Sequence, residues 1–170
     1  MAGKTMRRIV AVAIALILMA GAACAGLFIL GSNSPLETAR AHAINLVLDQ
    51  AGLKNRIESE LYKRADQFAE KTGVPVEIVN KAIDVLDVKH WEAATLPKNL
   101  KETGSFETDI GGHTISFTSY DDPSYVTLAA HGQEVTFDVP KSAEVYTTII
   151  PYAETASDFG VTDMLGAILG

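Results

Sequence analysis

Hydrophobic positions change their spacing three times along this chain, and each change predicts a different kind of element. Residues 9–30 read IVAVAIALILMAGAACAGLFIL, twenty-two residues without a charge. At about 1.5 Å per residue in a helix, such a run reaches the roughly 30 Å hydrocarbon thickness of a bilayer. After residue 34 the apolar positions recur at steps of three and four. Ser34 and Glu37 form a capping box with Pro35 at the first helical position, so a first soluble helix is predicted over residues 35–51. Ala39, Ala43, Leu46, Val47 and Leu53 are its expected apolar face, and Gly52 its stop.

A second helix is predicted over residues 54–71, with Leu53, Ile57, Leu61, Ala65 and Phe68 along one stripe and Gly73 at its end. Pro75 opens a third, with Ile78, Val79, Ala82, Ile83 and Leu86 inward and a stop near residues 88–91. Residues 92–104, with Pro97, Asn99 and Gly104, lose the period and read as a linker; Trp91 stands at the junction as an expected core plug. From Ser105 the period becomes two. Phe106, Thr108 and Ile110 lead to Gly111-Gly112; Ile115 and Phe117 run to Tyr120. A turn at residues 121–124 follows, then Val126 and Leu128, a turn at His131-Gly132, and Val135, Phe137 and Val139. Pro140 ends the series, Ser142 caps a short helix containing Val145, Tyr146, Ile149 and Ile150, and the tail closes on MLGAILG.

The expected fold is α+β: an N-terminal transmembrane helix, a three-helix segment packed on a four-stranded antiparallel meander, and a short C-terminal helix. Residues 1–31 form the signal anchor or signal peptide. Residues 32–170 form one extracytoplasmic domain, with a helical half (34–91), a strand half (105–140) and a terminal helix and tail (141–170).

Charge fixes the expected orientation. Lys4, Arg7 and Arg8 precede the apolar run, and the first charges after it are Glu37 and Arg40, which places the N-terminus in the cytoplasm and residues 32–170 outside. Of 14 Lys and Arg in the chain, 11 therefore remain beyond the run against all 21 Asp and Glu, a net charge of −10. Such a surface repels phosphate backbones, so nucleic acid is not an expected partner. The fate of the run has three readings. Its length fits a retained anchor, and Ala20-Gly21-Ala22 or Ala23-Cys24-Ala25 fits a cleavage site. Acylation of Cys24, the only cysteine, is the third, although Gly21 stands where a branched apolar residue is usual.

Sites for chemistry are sparse. His42, His90, His113 and His131 are scattered without metal spacing, and the G-x-S-x-G, G-x-x-x-x-G-K and G-x-G-x-x-G motifs do not occur. No catalytic, cofactor-binding or metal residue is therefore assigned, no cofactor is expected, and the protein is not read as an enzyme. Asp121-Asp122 is the one adjacent acid pair in the strand half, and its expected role is to cap the N–H groups of its own turn. In FAEKTGVPVEIVNKAI, Ala69, Gly73 and Val79 stand at helix-turn-helix spacings, and the stretch resembles that DNA-binding motif. Residues 75–88 offer Lys81 as their only base against Glu77, Asp84 and Asp87, so a helical hairpin without nucleic acid is expected. A membrane helix followed by a helix and a meander is also similar in outline to a type IV pilin. Gly3-Lys4-Thr5 and the lack of an acid in residues 9–30 depart from the pilin leader.

The functional expectation is a membrane-anchored extracytoplasmic domain with an interaction or structural role at the cell envelope, touching the membrane through residues 9–30 and a protein partner through its surface. The alternatives are a membrane-bound regulator using residues 54–88 and an envelope hydrolase with an acidic site at Asp121 and Asp122.

Overall fold

In the computed structural model the described residues are 37–110, 113–130 and 132–147. The apolar run, Cys24, the Ser34-Pro35 helix start, the turn residues Gly111, Gly112 and His131, and the tail beyond residue 147 lie outside them. Four helices come first: α1 (Glu37–Gln50), α2 (Leu53–Lys63), α3 (Ala65–Thr72) and α4 (Val76–Leu86). A short 3₁₀ turn, Val88–His90, leads into β1 (Glu92–Ala94). Then follow β2 (Glu102–Ile110), β3 (His113–Tyr120), β4 (Tyr125–Ala130), β5 (Gln133–Asp138) and a one-turn α5 (Glu144–Thr147). Among the described residues no helix is long and apolar enough to cross a membrane.

The sheet has five antiparallel strands in the order β1-β5-β4-β3-β2, not the expected four. The fifth is β1, which sits in the stretch read as linker and pairs Ala93 with Phe137. Its other edge is closed by α1. The Asn45 side-chain amide donates to the Ala93 carbonyl at 2.9 Å and its oxygen accepts from the Ala93 N–H at 2.7 Å, as a neighbouring strand would. The connection from β1 to β2, residues 95–101, passes from one sheet edge to the other. The segment turns on the way, its Leu100 N–H donating to the Pro97 carbonyl at 3.4 Å.

Contact with β1 also sets which face of α1 is inward. Ile44 and Leu48 are buried, whereas Ala39, Ala43 and Leu46, three of the five residues of the expected apolar stripe, are exposed. Residues 44 and 46 lie about 200° apart around a helix, so a side that brings Asn45 to Ala93 turns Leu46 outward.

The predicted second helix is broken at Arg64 (φ −103°, ψ 5°) into α2 and α3. All five residues of the expected stripe, Leu53, Ile57, Leu61, Ala65 and Phe68, are buried on either side of the break. Arg64 Nε donates to Glu60 at 2.9 Å across the break, and this bond holds the Glu60 carboxyl below its ordinary range. Gly73, with φ 67°, ends α3 as expected, in a conformation that costs a side-chain-bearing residue about 1–2 kcal/mol.

One sheet face is apolar. The register aligns Phe117 with Leu128 and Val135, and Val126 with Phe137 and Ala93, and all six are buried. Trp91 joins this layer to the helices as predicted. Its ring lies 6.1 Å from that of Phe137 at 51°, and its indole N–H donates to the Leu86 carbonyl at 2.8 Å.

Candidate binding cleft

The opposite face of the sheet carries the hydroxyls. Thr118, Thr127 and Thr136 are spaced by nine in sequence, and strands and turns of matched length bring them into one cross-strand row. Tyr120 lies diagonally beside them. Its phenol donates to Thr127 Oγ1 at 2.7 Å, and Thr127 and Thr136 share a bond of 2.8 Å. Thr127 accepts from Tyr120 and has a second lone pair and its own proton for Thr136, so either threonine can be the donor in the bond between them. Burial pushes the Tyr120 phenol above its ordinary range, and the nearby Glu102 and Glu134 carboxylates push the same way, against the bond to Thr127. The phenol is thus a donor at neutral pH.

Thr127 and Thr136 of this row, with Tyr120, line a cleft of about 200 Å³. Helix α1 contributes Arg40, Ala41 and Ile44 to its lining, and the β1–β2 connection contributes Thr95 and Leu96. Glu134 is the acid and Arg40 the base among its lining residues. Sites for drug-sized ligands occupy about 300–1,000 Å³, so the cleft lies below that range and suits a small polar group with an apolar flank.

A second cluster lies at the end of the sheet. The register sets Glu92 and Tyr125 on either side of Asp138, and Asp122 and Glu144 are close by. Partial desolvation of an otherwise exposed side chain, then the charges of Glu92, Asp122 and Glu144, raise the Asp138 carboxyl above its ordinary range. The folded state therefore holds this proton more tightly than the unfolded chain. The resulting stability is fully present below the ordinary carboxylate range and is lost as pH rises through the folded Asp138 value. Asp138→Asn is expected to raise the melting temperature at pH 7 by about 2 °C, since the group is exposed and screened, and to change nothing at pH 3. Thermal melts at the two pH values measure this.

The residues singled out in the sequence are dispersed. His42 is exposed on α1, and His113 begins β3. His90 Nδ1 contacts both Asp87 carboxylate oxygens at 2.7 and 2.8 Å. Asp122 accepts from the Ser124 N–H at 3.0 Å, capping its own turn as expected; Asp121 instead accepts from the Lys101 N–H at 2.9 Å and ties down the start of β2. Among the described residues no group of three or more His, Cys, Asp or Glu is placed to hold a metal ion. Helices α3 and α4 form a helical hairpin about Gly73, with Glu77, Ile78, Lys81 and Asp84 exposed on α4. The alternation of the strands already makes the second sheet face Thr- and Ser-rich; sequence reasoning missed Asn45 and the joining of Tyr120, Thr127 and Thr136 into one bonded row, for which the nine-residue spacing of the threonines was the available signal.

The fold and cleft define an α+β protein built on a five-stranded antiparallel sheet, with one face in the core and a hydroxyl-lined cleft on the other. Compared with family models, with curated proteins and with solved structures, the chain matches none of them.

Proposed function

We propose that the protein is a membrane-anchored extracytoplasmic domain with a non-catalytic interaction or structural role at the cell envelope. The observation that carries this reading is the apolar run of residues 9–30 behind Lys4, Arg7 and Arg8, with a charge of −10 in the chain beyond it. The polar groups add support. Asp121 and Asp122 are engaged with backbone N–H groups, and the cleft hydroxyls bond to one another, arrangements that suit recognition by contact.

Fusions after Gly170 test the orientation. An alkaline phosphatase fusion is expected to be active and a green fluorescent fusion dark; a dark phosphatase with a bright fluorescent fusion overturns the reading. That reverse outcome is what the second reading, a membrane-bound regulator, requires. The turn at Gly73 between α3 and α4 favours it geometrically, and the single base Lys81 against Glu77, Asp84 and Asp87 opposes it. The mass of the mature chain from membranes then separates a retained anchor from cleavage or acylation at Cys24.

A further inference from the structure

We propose that the outer edge of β2 is a docking site for an extended peptide segment in which basic and apolar residues alternate, added to the sheet as a sixth strand. The two sheet edges are treated differently. β1 is three residues long and closed by Asn45, whereas β2 runs for nine residues, about 30 Å, and among the described residues no strand lies on its outer side. Natural edge strands are blunted by short length, charged side chains, lysine above all, proline or bulges, and the charges on β2 are acidic. β2 contains neither lysine nor proline, and its one irregularity, between Glu102 and Gly104, leaves positions 104–110 in unbroken register with β3.

That register also gives the phase of the free edge. Ile110 pairs with His113 across a two-residue connection, a position that forms a hydrogen-bonded pair. Bonded and non-bonded pairs alternate from there, so positions 105, 107 and 109 turn their N–H and C=O groups outward, away from β3. These same positions share a sheet face with Glu102, because the irregularity shifts the pleat by one residue. A guest strand therefore meets an acidic row, the exposed Glu102 and Glu107, on one side of the sheet and positions 104, 106, 108 and 110 on the other.

Charge decides between guests. In antiparallel self-pairing centred on this stretch, Glu107 would stand directly opposite Glu107 of a second copy, or diagonal to it in a register slipped by two, bringing carboxylates together on one face, where like charges oppose pairing. A strand with lysine or arginine at alternate positions satisfies the acidic row and offers its apolar side to the other face. This deepens the interaction role proposed above and rests on it only for the compartment in which the peptide is met.

The test uses the full purified chain in an uncharged detergent and a fluorescent octapeptide alternating lysine and valine, followed by anisotropy. Binding is expected, and it should weaken at least about tenfold for a glutamate–valine peptide and for the fully N-methylated lysine–valine peptide, which keeps the charge but cannot donate to β2. Glu107→Pro, which removes an outward N–H and spares the β3 ladder, should have the same effect, and Glu102→Lys with Glu107→Lys should reverse the charge preference. The peptide comparisons stand even where a variant fails to fold. The proposal is overturned if the lysine–valine peptide does not bind, if N-methylation leaves binding unchanged, or if the chain sediments as a dimer that Glu107→Pro dissociates. Peptide binding in detergent does not depend on membrane side, so its outcome and that of the fusions are separable.

Discussion

Trp91→Ala is expected to destabilise the protein by about 3–5 kcal/mol, a large share of the roughly 5–15 kcal/mol that a domain possesses. Two losses combine in that figure. The indole fills the space between the 3₁₀ turn and the sheet, packed against the buried Phe137, and its removal leaves a void that close-packed neighbours cannot fully collapse. Its N–H also satisfies the Leu86 carbonyl at the end of α4, so alanine leaves a buried acceptor without its donor. Trp91→Phe separates the two, keeping most of the ring packing and losing the bond, with an expected cost of about 1–3 kcal/mol. Since Trp91 is the sole tryptophan, urea unfolding of the variants is followed by far-ultraviolet circular dichroism. An alanine variant within about 1 kcal/mol of the parent would mean that the helical and strand halves do not depend on this residue for their contact.

The elements that could be read from sequence are those whose signal is local. Gly73 marks a helix end because a left-handed residue is needed there, Pro75 marks a start because its carbonyl accepts the first bonds of α4, and the alternation of Phe117, Val126, Leu128, Val135 and Phe137 marks a half-buried sheet. Trp91 was legible for a simpler reason: a side chain of that size at a change of period has few places to go except the junction. What was missed depends on partners remote in sequence. Glu92-Ala93-Ala94 has the composition of a helix and is a strand only because β5 and Asn45 take its backbone groups from either side. The inward face of α1 includes Asn45, so a search for an apolar stripe chose Ala39, Ala43 and Leu46, and the side facing β1 was passed over. The cleft is further still from a local signal, since Tyr120, Thr127, Thr136 and Glu134 converge only once three strands are in register.

Asn45→Ala is expected to cost about 2–3 kcal/mol, more than most substitutions of a half-exposed polar residue. The side chain is the outer neighbour of β1, supplying one donor and one acceptor to Ala93, which is itself buried. Alanine leaves both backbone groups without a partner in a region that α1 shields from water, at about 1–3 kcal/mol for each group fully buried and less where solvent can reach it. Asn45→Asp sharpens the test. The carboxylate still accepts from the Ala93 N–H, yet it sets a negative charge against the Ala93 carbonyl, so one bond is kept and the other becomes repulsive. Asparagine is then required for its combination of donor and acceptor, and glutamine, one methylene longer, should not restore it. Urea midpoints rank the variants, and hydrogen exchange at the Ala93 amide locates the effect: its protection should fall in Asn45→Ala while the Leu128 amide in β4 keeps its parental rank among the slowest. If Asn45→Ala leaves both the midpoint and the Ala93 amide unchanged, the pairing of β1 with β5 alone holds this edge, and the helix contributes only the packing of Ile44 and Leu48.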